Sequence, residues 1–151
     1  MASTLSDRAE SRERIRPEPE ADAHRWRLHV EEAQLAAHLR GDFRAYLELF
    51  GHPASDFDAA EAVYGELVNC CARHAPGAIA IEFDWDDATL QVVDACERLR
   101  TWPFSPEDTS AESTYHAYAL ISAMTGSIRV KRNPGGGTCV SVVLPVMRAS
   151  R

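Results

Sequence analysis

The chain has 151 residues, 45% hydrophobic and 26% charged, which suits one domain with a core of its own. Its formal net charge of −7 argues against a nucleic-acid partner held by phosphate neutralisation, although a few local cations would still serve a small anion. No apolar run approaches the roughly 20 residues of a membrane span, and the opening MASTLSDRAESRER has no apolar signal core, so no membrane association and a cytoplasmic location are expected.

In that compartment Cys70, Cys71, Cys96 and Cys139 are expected to be reduced, and none shows the CxxC spacing of a structural zinc site. Residues 1–22 are charged, rich in Glu, Arg, Ser and Pro, and nearly without large apolar side chains, so they read as a disordered tail. A single domain is expected over 23–148, with a short tail at 149–151.

Within the domain, Arg25 to Val30 alternates, with Trp26, Leu28 and Val30 on one side, as in a short edge strand. Glu31 to about Phe50 carries a helical stripe of Leu35, Leu39, Phe43, Tyr46, Leu47 and Phe50, with a bend expected at Gly41. Gly51, His52 and Pro53 stop that helix, and Ser55 or Asp56 can cap the next. Ala78 to Trp85 and Thr89 to Asp94 alternate on either side of Asp86-Asp87 and read as a hairpin. Prolines 103 and 106 break the long connection from Ala95 to about Glu112, and helical spacing returns from Ser113 to Met124. A strand over Ser127 to Arg132, a turn at Asn133-Pro134-Gly135-Gly136 and a strand over Thr138 to Val146 complete the chain. The order β-α-α-β-β-loop-α-β-β is that of an α+β sandwich, one sheet covered on one face by helices.

The most informative stretch is Ala60 to Ala75, AEAVYGELVNCCARHA. Ala60, Val63, Tyr64, Leu67, Cys71 and Ala75 form its apolar side, whereas Glu66, Cys70 and Arg73, with Asn69 beside them, are expected on the opposite side. Glu66-Leu67-Val68 followed by His74-Ala75, Val92-Val93-Asp94 at a strand end, and the ending Gly135-Gly136-Gly137-Thr138 closed by Leu144-Pro145 form a set. In these pieces the chain resembles the histidine-kinase-like (GHKL, Bergerat-fold) ATPases, and among them the bacterial anti-sigma regulatory factors, serine kinases of partner-switching systems. The resemblance spans about Arg25 to Val146. It implies a two-layer sandwich with a mixed, mostly antiparallel sheet and about three helices.

The resemblance also implies site roles. Glu66 would be the catalytic base, and Arg73 would touch a phosphate. Asp94 would accept from the adenine amino group, supported by Thr138, with Gly137 and the position of Cys96 lining the nucleotide. Position 70 would be the magnesium ligand, but it is Cys70, a thiol where Mg²⁺ wants hard oxygens, and Asn69 falls one residue early. The glycines of both phosphate-end motifs are replaced as well, by Cys96 and Arg98 in one and by Tyr115 and Ala117 in the other.

Two readings follow, of different classes. One is a pseudo-kinase: a degenerate nucleotide-binding domain, with ATP weak or lost and magnesium doubtful, that regulates transcription by binding a sigma factor or an anti-sigma antagonist. The other is an active ATP-dependent serine kinase phosphorylating that antagonist. A third, lesser idea re-purposes Cys70, His74 and Cys96 for a soft metal or redox chemistry. The resembled family often dimerises, so a homodimer is also implied. His24, His29, His38 and His52 read as scattered surface residues.

Overall fold

In the computed structural model, residues 17–74, 77–94, 123, 128–132 and 138–150 are described. The elements are β1 (Glu20–Ala21), β2 (Arg25–Val30), α1 (Ala33–Ala37), α2 (Arg40–Phe50), α3 (Phe57–His74), β3 (Ile79–Asp84), β4 (Thr89–Asp94), β5 (Ile128–Arg132) and β6 (Thr138–Val143). The strands form one open six-stranded sheet in the order β1-β2-β3-β4-β6-β5. Every described pairing is antiparallel, where a mixed, mostly antiparallel sheet was expected.

Alternation decides which face the helices cover. Trp26, Leu28 and Val30 of β2 share register rows with Phe83, Ile81 and Ile79 of β3. The rows continue through Leu90 and Val92 of β4 to Val142 and Val140 of β6, and all ten of these side chains are buried. Against them pack Phe43 of α2 and Tyr64 of α3. Trp26 meets Phe43 edge-on at 5.1 Å between ring centroids, and Phe43 stacks on Tyr64 at 4.8 Å. Each such buried aromatic contributes about 1.5–3 kcal/mol from burial, and each ring pair about 0.5–1.5 kcal/mol more.

The edge position expected for β2 is taken by β1, which pairs Glu20 with Arg27 and Ala21 with Trp26 inside the stretch whose composition reads as tail. The turn into β2 is made by Asp22, whose carboxylate accepts from the backbone N–H groups of His24 (2.8 Å) and Arg25 (2.9 Å). Those two donors hold its carboxyl below the usual carboxylate range.

The expected helix over 31–50 is two helices. The break falls at His38-Leu39, not at Gly41, because Leu39 is buried with its backbone at φ −97 and ψ 11, its N–H tied to the Ala36 carbonyl at 3.1 Å. Gly41 lies inside α2. Asp56 caps α3 as expected, accepting from the Ala59 N–H at 3.0 Å. Arg44 ties α2 to α3 through Glu61 (2.7 Å) and Asp58, and also pairs with Glu48 within α2. The helix expected over 113–124 lies outside the described residues except for Ala123.

Candidate functional site

Helix α3 carries a long arc of burial because it is packed between the sheet and the α1–α2 pair. At about 100° per residue Val63, Tyr64, Leu67, Val68, Cys70 and Cys71 sweep an arc of about 160°, which the buried Gly65 widens to about 220°. Glu66, Asn69 and Arg73 fall outside it, at i, i+3 and i+7. Glu66 is half-buried, and Asn69 and Arg73 are exposed.

This corrects the sequence reading at one position. Cys70 does not stand on the polar stripe with Glu66 and Arg73: it is 1% exposed and belongs to the hydrophobic core. It lies only about 40° round the helix from Glu66 toward the core, at the margin of the buried arc. Asn69, about 100° round the helix from Cys70, is the residue that stands exposed beside Glu66 and Arg73.

The stripe lines a cleft of about 500 Å³ in which Glu66, Asn69, Ala72 and Arg73 of α3 face Gln34, Ala37 and His38 of the α1 segment. The hydroxyl of Tyr64, fully buried, donates to the Ala36 carbonyl at 2.7 Å and fastens α1 to α3 beside this cleft. Burial, with a contribution from the Asp42 charge, pushes the Tyr64 hydroxyl above its ordinary range. Gln34 and His38 were missed as site residues. Their i, i+4 spacing marks one helix face, but nothing in the sequence says that α1 packs on α3. A cation, a carboxylate, two amides and an imidazole can hold a polar or anionic group through directed hydrogen bonds.

A second cluster is set by strand register. Asp94, the last residue of β4, pairs directly with Thr138, the first of β6, in the same register row as the buried Ile79. The residues to which the resemblance gives the adenine end are therefore neighbours. Thr138 is 1% exposed, and its Oγ1 has no hydrogen-bond partner among the described residues. A buried, unsatisfied hydroxyl costs about 1–3 kcal/mol and is a feature of sites that await a polar group.

Cys96, Gly137 and the side chains of His74 and Asp94 lie outside the described residues, as do Arg98, Tyr115 and Ala117. Among the described residues no three His, Cys, Asp or Glu side chains gather where a metal ion could be held, and no helix is long and apolar enough to cross a membrane. Tested as a magnesium ligand, position 70 fails twice: its atom is a soft sulfur, and it is buried in the core. Comparison with protein-family models and with curated proteins finds no match.

Proposed function

We propose that the chain is a regulator on a histidine-kinase-like (Bergerat) scaffold that acts by binding a protein partner rather than by turning over ATP. The reading takes its family from the motifs of α3, β4 and the β5–β6 ending. Its partner class, a sigma factor or an anti-sigma antagonist, comes from the same resemblance. One observation carries the loss of turnover: the residue standing at the family's magnesium position, Cys70, is sealed in the core. A soft sulfur buried in the core is no ligand for the hard cation that phosphoryl transfer uses at that position.

A second reading keeps nucleotide binding without turnover, and it is favoured by Thr138. Its unsatisfied buried hydroxyl opposite Asp94 would support recognition of a purine at the adenine end. Turnover separates these readings from an active kinase. ADP release from ATP with Mg²⁺, followed in the wild type and in Glu66→Gln, is expected to match the protein-free background in both. Release well above background that Glu66→Gln abolishes would contradict the proposal.

A further inference from the structure

Strand β5 ends the sheet, and its far side has no strand partner among the described residues. On the helix side, Ile128 and Val130 pack against the core but are only partly buried, whereas their neighbours Val142 and Val140 on β6 are fully buried. On the open side, Arg129 and Lys131 are exposed and make no ion pair among the described residues. Arg129 stands opposite Ser141 and Lys131 opposite Cys139, so both cations rise over small, half-buried side chains. The edge thus presents an apolar row and a cationic row at the period of a strand.

We infer that β5 is a docking edge for an extended acidic segment of a protein partner, added as a seventh strand, with apolar residues alternating with Asp or Glu. Such a strand completes the burial of Ile128 and Val130 with its apolar row and pairs its carboxylates with Arg129 and Lys131, while backbone hydrogen bonds fix the register. The charge chooses the occupant. A second copy paired through β5 about Val130 would set Arg129 against Lys131, and like charges directly opposite are destabilising. With a net charge of −7 the chain as a whole does not attract an acidic segment, so the attraction rests on the local cations Arg129 and Lys131. The inference is independent of the nucleotide question, since it involves neither the α1–α3 cleft nor Asp94 and Thr138.

The test uses the full chain and a fluorescein-labelled peptide of about seven residues alternating valine and glutamate, with two controls: its valine–lysine counterpart, and the acidic peptide N-methylated at alternate amides. Fluorescence anisotropy is expected to show binding of the acidic peptide alone, weakened at least about tenfold in high salt. Arg129→Glu with Lys131→Glu, folding checked by circular dichroism, should reverse the preference toward the lysine peptide. No binding, equal binding of the N-methylated peptide, or a preference unmoved by charge reversal would overturn the inference. So would a wild-type dimer in sedimentation that the charge reversal dissolves.

Discussion

Replacing Cys70 by Asn separates the two accounts of α3 most sharply. If position 70 faced a nucleotide, Asn would restore the magnesium ligand of the resembled family. In the structure the position is buried in the core, so the substitution exchanges a sulfur for a larger carboxamide in a packed interior. Burying an amide without full hydrogen bonding costs about 1–3 kcal/mol. Forcing extra atoms into a packed interior costs about 1–3 kcal/mol more. The sum, about 2–6 kcal/mol, is a large part of a stability that for single domains is about 5–15 kcal/mol. In urea denaturation, with a slope of about 2 kcal/mol/M, the midpoint should fall by about 1–3 M at unchanged slope. Asn69→Ala, one residue earlier and exposed, should stay within about 0.5 kcal/mol of the wild type. A Cys70→Asn protein as stable as the wild type that also gains magnesium-dependent ATP binding would refute the placement of Cys70.

The remaining predictions concern the scaffold that holds the cleft. Tyr64→Phe keeps the ring contacts but removes the bond to the Ala36 carbonyl, so chemical denaturation should show a loss of about 1 kcal/mol; an unchanged midpoint would mean that the hydroxyl does not fasten α1. Ala88, at φ 53 in the turn between β3 and β4, sits in the left-handed region, where a Cβ costs about 1–2 kcal/mol, so Ala88→Gly should raise the midpoint. Burial pushes the Tyr46 hydroxyl up to about 12. The folded state then holds this proton more tightly than the unfolded chain, so the associated stability is full below about pH 10 and is lost as the pH rises toward 12. Tyr46→Phe should show a shallower alkaline decline, and identical decline in both proteins would remove Tyr46 from the explanation.

Strong alternation made the sheet readable in advance. Trp26, Leu28 and Val30 against Arg25, Arg27 and His29, and Ile79, Ile81 and Phe83 against Ala80, Glu82 and Asp84, each specify one buried face. Asp86-Asp87 marked the hairpin between β3 and β4 for the same local reason. Two features were not local. The break at His38-Leu39 depends on Leu39 entering a core made by distant residues, and β1 is too short to show any period before Asp22 turns it onto β2. The site divided in the same way. Glu66 and Arg73 were legible as a helix stripe, and the pairing of Asp94 with Thr138 follows from the register of β4 on β6. Cys70 was misplaced because a helical wheel gives an angle but not the width of the buried arc, which here is set by packing on two sides of α3. Gln34 and His38 were overlooked because their importance comes from α1 lying against α3, a contact that no spacing encodes.

The central claim, a histidine-kinase-like scaffold without magnesium-dependent nucleotide chemistry, is tested most directly by calorimetric titration of ATP into the full chain, with Mg²⁺ and again with a chelator. The account predicts either no binding or weak binding that is the same in both conditions. Micromolar ATP binding that requires Mg²⁺ and disappears in Asp94→Asn would contradict it.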